Sequence, residues 1–171
     1  MISAKVFIRI AVCTMVVSAM LLGGCGKKSE EKMAEEKMEN MLKKATGKDV
    51  DVNIQGKGIK IEGQDSKAQI SETSVWPPEM FEDVPKFTSG KIEHVTKTQE
   101  GSNQTFNIFF VDIDGNALKN YAAALNEKGW QTQILDMGKG GMISAQKDKL
   151  SMNFSFNSED KKGLLGVFSA Q

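Results

Sequence analysis

The second half of the chain has the clearest alternation of apolar and polar positions. From Leu150 to Phe156 every second residue is apolar, which is the period of a strand with one buried face. Apolar residues at helical spacing predict a helix over residues 116–128. The predicted strands on either side of this helix cover residues 91–98, 104–111, 132–136, 142–147, 150–156 and 164–170. The order β-β-α-β-β-β-β predicts an α+β fold, in which one helix packs on a face of a mostly antiparallel sheet.

The first half of the chain predicts a helix and a hairpin. Residues 29–46 are rich in Lys and Glu and carry a narrow apolar stripe at helical spacing, so they are predicted to form a charged amphipathic helix. Residues 47–75 contain two alternating runs around Gly56-Lys57-Gly58, which indicate a β-hairpin, and a weaker strand at 68–71.

The two halves are separated by a proline-containing segment at residues 76–90. Trp76-Pro77-Pro78 and Pro85 do not fit inside a regular sheet. We therefore interpret residues 76–90 as an extended connector that packs its apolar side chains onto the fold. Residues 91–171 follow as the α+β domain.

The N-terminus has the features of a targeting signal. Lys5 and Arg9 are the only charged residues of the first 24, and an apolar run from Ile10 to Leu22 follows them. A membrane-spanning helix needs about 20 apolar residues, and this run is shorter. A basic start, a short apolar middle and small residues at the exit predict a cleaved secretory signal at residues 1–24.

The exit of this signal resembles the lipobox of bacterial lipoproteins. Leu22-Gly23-Gly24-Cys25 has an aliphatic residue three positions before cysteine, followed by two small residues. The resemblance implies a type II signal peptide that is cleaved between Gly24 and Cys25, with a diacylglyceryl group on Cys25 and fatty acid, such as palmitate, on the new amine. Residues 25–28 would form the lipidated anchor, because two or three acyl chains hold a protein firmly in a bilayer.

The resemblance also implies a location in the cell envelope, outside the cytoplasm. In Gram-negative lipoproteins, aspartate after the lipidated cysteine favours the inner membrane. Gly26 stands at that position here, which favours the outer membrane if the cell is Gram-negative.

The layout of the remaining chain is similar to that of small bacterial lipoproteins of uncharacterised function. The shared features are a Lys/Glu-rich helix, the Thr-Gly-x-Asp-Val-Asp run at Thr46–Asp51, and a Trp-Pro segment before the Gly-Lys-Ile strand at Gly90–Ile92. These motifs are structural, so the resemblance implies no activity.

Composition and charge limit the chemistry that we expect. Removal of residues 1–24 leaves 20 basic and 22 acidic side chains, which gives no broad electrostatic attraction to nucleic acid. Cys25 becomes the only cysteine, so no intrachain disulfide and no cysteine-based metal site are expected. His94 is the only imidazole, and we expect it to lie on an exposed strand or at an edge. No cofactor, metal or catalytic residue is predicted.

Two motifs resemble binding loops without matching them. Asp112-Ile113-Asp114-Gly115 suggests calcium, but an EF-hand loop that began at Asp112 would need glycine at its sixth position and glutamate at its twelfth, and both are alanine. We interpret it as a strand-to-helix turn. Gly138-Lys139-Gly140-Gly141 lacks the spacing of a phosphate loop and joins two predicted strands, so it indicates a hairpin turn.

These observations predict a non-enzymatic, lipid-anchored envelope lipoprotein with a binding or assembly role and an envelope protein as its partner. The candidate interaction face consists of Met38, Met41, Leu42 and Trp76. The alternative is a binding protein for a small apolar or peptidic ligand, with residues 76–87 as a lid over the sheet. A carboxylate-dependent hydrolase that uses Asp112 and Asp114 is the third hypothesis.

Overall fold

The computed structural model describes residues 27–55, 58–64 and 66–169. The signal at residues 1–24, including Gly24, and the first two residues of the predicted anchor at 25–28, Cys25 and Gly26, lie outside them. The elements in chain order are α1 (Lys27–Thr46), β1 (Val50–Gln55), β2 (Gly58–Gly63), β3 (Ser66–Ser71), β4 (Lys91–Glu100), β5 (Asn103–Val111), α2 (Ala117–Glu127), β6 (Gln131–Asp136), β7 (Gly140–Lys147), β8 (Leu150–Asn157) and β9 (Lys162–Ser169). Neither described helix is long and apolar enough to cross a bilayer.

The nine strands form one antiparallel sheet in the order β1-β2-β3-β4-β5-β9-β8-β7-β6. The predicted α+β class with a mostly antiparallel sheet is confirmed, although the sheet dominates. One detail differs from the prediction. The weak strand expected at 68–71 is a full strand, β3, and its pairing with both β2 and β4 joins the N-terminal hairpin to the rest of the sheet.

The end of α2 has the hydrogen bonds of a Schellman motif. The Gly129 N–H donates to the Asn126 carbonyl at 2.9 Å, and the Trp130 N–H donates to the Leu125 carbonyl at 3.0 Å. Gly129 has a φ of +79°, which glycine adopts without a Cβ clash. The turn brings Trp130 into the core, where only 3% of its surface is exposed.

The principal core lies between α2, the connector and one face of the sheet, which we call face A. Phe106, Ile108 and Phe110 of β5 are buried on it, while Thr105, Asn107 and Phe109 alternate onto the opposite side, face B. The other strands contribute in the same way, and the fully buried side chains are Phe106, Ile108, Phe110, Leu125, Ile143, Met152, Phe154, Leu165 and Val167. The large apolar residues of β4–β9 therefore stabilise the fold mainly through face A.

Strands β1–β3 place their apolar side chains on the other side of the same sheet. Val52 pairs with Ile61, Ile61 with Ala68, and Ala68 with Thr98 of β4. Thr98 lies on face B, because Lys97 beside it lies over the Phe106 ring on face A, at 5.3 Å from its centroid. The apolar face of the sheet thus changes sides between β3 and β4.

The second half of α1 lies along the outer edge of β1. Glu35 Oε1 accepts a hydrogen bond from the Ile54 N–H at 2.7 Å, and Glu39 Oε1 accepts one from the Val52 N–H at 3.0 Å. Four helical residues advance about 6 Å and two strand residues about 6.7 Å, so the two carboxylates match alternate N–H groups of the strand. These bonds satisfy backbone donors that an open sheet edge would leave unpaired.

Candidate functional site

Face B of β4–β9 carries a row of side chains that runs across six strands. The register places Leu135, Met142, Ser155, Leu164, Phe109 and His94 directly opposite one another from β6 to β4. We call these six residues the cross-strand row. All of them except Ser155 and His94 are apolar, and cross-strand neighbours of this kind lie about 5 Å apart. The row therefore forms a continuous, largely apolar track on face B.

A shallow groove of about 370 Å³ lies over the middle of this row. Phe109, Leu164 and Met142 contribute to its lining, together with Met137 from the β6–β7 turn. Met137 is 60% exposed, and Met142 and Leu135 are also exposed. Methionine side chains are flexible and polarisable, so the shape of this surface is adaptable.

The groove also has a charged lining residue, Lys162, together with the polar Ser155 and Asn157. In the β6–β7 turn, Lys139 Nζ forms an ion pair with Glu159 Oε1 at 2.6 Å. Both members of this pair are largely exposed, so the pair contributes little to stability. The groove consequently offers mainly apolar contacts and one charged side chain.

His94 ends the row at β4 and stacks on the ring of Phe109. The two ring centroids are 3.9 Å apart and the planes are 19° from parallel. Burial lowers the pKa of His94 below its usual range, although the nearby Glu93 carboxylate, 3.8 Å from Nδ1, acts in the opposite direction. The imidazole is therefore neutral near pH 7, because burial disfavours its charged form.

A second cleft, of about 200 Å³, lies beside Trp76. Val95 and Phe106 line its apolar side, and the ammonium of Lys97 is 3.3 Å from Glu79 Oε1 at its edge. Trp76 itself is half-buried and packs against the principal core. The cleft thus presents one indole face, apolar residues and a paired charge.

The connector that carries Trp76 is held firmly in place. The Tyr121 hydroxyl donates to the Pro85 carbonyl at 3.0 Å, the Trp130 indole N–H donates to the Asp83 carbonyl at 2.9 Å, and Lys147 pairs with the Asp83 carboxylate. The expected packing of its apolar side chains is confirmed, because Val84 and Phe87 are buried in the core. Any opening of this segment as a lid would break these contacts.

Phe87 is central to that attachment. Its ring centroid lies 4.6 Å from that of Phe110, 4.8 Å from Phe154 and 5.2 Å from Tyr121. Burial raises the pKa of the Tyr121 hydroxyl well above its usual range, so it stays protonated and able to donate. The connector is therefore part of the core as much as a link between strands.

The predicted interaction face is divided among different environments. Leu42 is buried, Met38 is half-buried and Met41 is 61% exposed. Met38 and Leu42 share the stripe of α1 that carries Glu35 and Glu39, which is turned toward β1. Trp76 belongs to the principal core cluster, and Leu42 does not. Met41 is therefore the most exposed of the four residues, and their role as an interaction face stays a prediction.

Both carboxylates of the acidic turn after β5, Asp112 and Asp114, bind neighbouring groups of the protein. Asp112 Oδ2 pairs with Lys91 Nζ at 2.9 Å, and the hydrogen bond from Lys91 lowers the pKa of this exposed carboxyl. Asp114 Oδ1 accepts a hydrogen bond from the Asn116 N–H at 2.7 Å, which closes the turn before α2. Among the residues that the structure describes, no three His, Cys, Asp or Glu side chains are grouped as metal ligands.

Gly138-Lys139-Gly140-Gly141 forms the β6–β7 turn, as predicted. The Met137 N–H donates to the Gly140 carbonyl at 2.9 Å. A Cβ on Gly140, whose φ is +143°, would lie 2.2 Å from the Phe156 carbonyl oxygen. The glycine is needed for close approach of the turn to β8.

Sequence reasoning missed the residues of the cross-strand row. Phe109 stands inside an apolar run with Ile108 and Phe110, so its position on the opposite face was hidden by the apolar character of the whole strand. The available signal was that both alternating sets of β5 contain aromatic or branched residues, which indicates a strand with two apolar faces.

Comparison with protein families, with curated proteins and with solved structures finds no match to this chain.

Proposed function

We propose that this protein is a lipid-anchored cell-envelope lipoprotein with a non-enzymatic binding or assembly role, and that the groove on face B receives an apolar segment of its envelope partner. The lipobox at Leu22–Cys25 supports the anchor, and Gly26 favours the outer membrane if the cell is Gram-negative. The groove carries the binding part of the proposal, because exposed apolar patches are typical of interaction sites.

The anchor is tested by the mass and location of the protein in cells. When the full chain is expressed in cells, the mature protein should lack residues 1–24 and carry diacylglyceryl and acyl groups on Cys25. It should also be labelled by radioactive palmitate. Cys25→Ala should abolish both labelling and the membrane-bound fraction. An unmodified Cys25, or a chain that still carries its leader, would contradict the anchor.

The groove is tested with a photo-crosslinking amino acid at Met142. The matched control is Gln146, which lies on the same strand and face but outside the groove. Illumination of intact cells should give a defined adduct from position 142, and mass spectrometry should assign the captured peptide to an apolar segment. Equal adducts from both positions, or capture of a polar segment, would contradict the proposal.

The cleft beside Trp76 favours a second function, the binding of a small apolar or peptidic ligand. The indole borders the cleft, so an occupant would change its fluorescence. Titration of the full chain with apolar dyes and short peptides should then give a spectral shift that Trp76→Phe removes. Trp130 is buried elsewhere in the core and serves as the internal control. A shift that persists in Trp76→Phe would exclude this cleft.

A further inference from the structure

The outer edge of β6 is an open row of backbone hydrogen-bonding groups. The bond from the Met137 N–H to the Gly140 carbonyl fixes the alternation of the β6–β7 ladder. In an antiparallel ladder every second residue directs its N–H and C=O away from the neighbouring strand. For β6 these residues are Thr132, Ile134 and Asp136, and no described residue accepts from or donates to their outward backbone groups.

The side chains of this edge are apolar on both faces of the sheet. Ile134 lies on face A and is 51% exposed, and Leu135 lies on face B and is 58% exposed. The strand contains no proline and no lysine, and its single charge, Asp136, stands at its end. Natural edge strands that remain unpaired carry charges, prolines or bulges. Strand β1, at the other end of the sheet, is covered by Glu35 and Glu39.

We propose that β6 pairs with β6 of a second copy of this chain, in an antiparallel arrangement about a two-fold axis through Ile134. Outward groups then meet outward groups, and Thr132 lies opposite Asp136 of the second copy. Ile134 lies opposite its own equivalent on face A. No like charges face each other, so the strand is complementary to itself.

Neighbouring registers fit less well. An axis through Leu135 places Ile134 opposite the charged Asp136, and an axis through Gln133 places it opposite the polar Thr132. The axis through Leu135 pairs Leu135 with its own equivalent, but it places Ile134 against a carboxylate on both sides of the axis. The axis through Ile134 leaves no apolar residue of β6 opposite a charged one. The result is a continuous sheet of eighteen strands in the dimer, in which Ile134 and Leu135 lose exposed surface.

The contact is small, so the association is weak in dilute solution. One strand pair covers less than about 1,000 Å², which is below the size of a stable interface. A covalent trap in intact cells that express the full chain therefore suits the test, because the pairing itself does not depend on the proposed anchor. Equivalent Ile134 Cα atoms across the axis would be about 5.5 Å apart, within the range of a disulfide.

The experiment compares Ile134→Cys with Asn53→Cys, an exposed position on the opposite edge strand, β1. Intact cells are oxidised and their proteins are separated by electrophoresis without reductant, and the parent chain gives the background from Cys13 and Cys25. We expect a species of twice the chain mass at least tenfold more abundant for Ile134→Cys than for Asn53→Cys. Equal yields, or an adduct of any other mass, would overturn pairing with a second copy.

The register is tested by charge in the Ile134→Cys background. Thr132→Asp places an aspartate opposite Asp136 twice in the dimer and should reduce the crosslinked fraction severalfold. Thr132→Lys places a lysine there and should maintain or increase it. Equal losses in the two variants would overturn the axis through Ile134. The melting temperature of each variant verifies that the monomer is folded.

Discussion

Strands β1–β3 and strands β4–β9 belong to one sheet, yet they bury opposite faces of it. The larger region covers face A with α2, the connector and a cluster of aromatic rings. The smaller region has its apolar residues on face B, where Val52 and Ile59 are buried outside the principal core. Backbone pairing between β3 and β4 is continuous at the point where the apolar face changes sides. Hydrogen bonding and apolar packing therefore define different units in this protein.

The two regions also treat their free edges differently. The edge at β1 is closed by carboxylates of α1, while the edge at β6 has exposed apolar residues and open backbone groups. Closure at one end and exposure at the other leave only one direction in which the sheet can grow.

The largest effect is expected from Phe154→Ala. Phe154 is fully buried and its ring contacts Phe87 and Tyr121, so the variant should lose about 3–5 kcal/mol of unfolding free energy in urea titrations. The matched substitution in the smaller region, Val52→Ala, removes less apolar volume and should cost about 2 kcal/mol. An equal or larger loss for Val52→Ala would contradict the placement of the main core on face A.

An intermediate effect is expected from Glu39→Ala. This change removes the acceptor of the Val52 N–H, and loss of a charge-assisted hydrogen bond at an edge should reduce stability by about 1–2 kcal/mol. Amide exchange at Val52 should accelerate, while exchange at Ile108 in the principal core should change less. Glu36→Ala is the control, because Glu36 is exposed on another side of the same helix. Similar exchange at Val52 in both variants would show that the carboxylate does not protect the edge.

The smallest effect is a pH dependence from His94. Its folded pKa lies below its unfolded value of about 6.5, so the unfolded chain binds the proton more readily. Stability from this residue is therefore present above pH 6.5 and is lost as the pH falls below it. Wild type should lose more stability than His94→Gln between pH 7.5 and 5.5, as measured by urea midpoints. Parallel curves for the two proteins would indicate that burial does not shift this residue.

Much of the fold follows from the sequence because strand and helix periods are local. The alternation in β8 and the helical spacing of α2 were both readable from a few neighbouring residues. The side of the sheet on which each strand buries its apolar set depends on register with a distant strand, and the sequence does not state it. For this reason Phe109 was not distinguished from Phe110.

The candidate site was less predictable than the fold. Glu35 and Glu39 had the spacing of a solvated helix face, and their role depends on the position of β1 beside them. The methionines of α1 were predicted as an interaction face from their helical spacing, whereas the groove draws Met137 and Met142 from a turn and a strand that are distant in sequence. The anchor at Cys25 stays a prediction.

The attachment of the connector also affects the order in which the elements fold. Residues 72–90 form a long excursion between two neighbouring strands, and closing such a loop before its ends are ordered is entropically costly. Phe87 fixes the excursion to rings of β5, β8 and α2, so we expect those elements to assemble early in folding. Strand β4 is then in position for pairing, and we expect β1–β3 to pair with it in a later and faster step of folding.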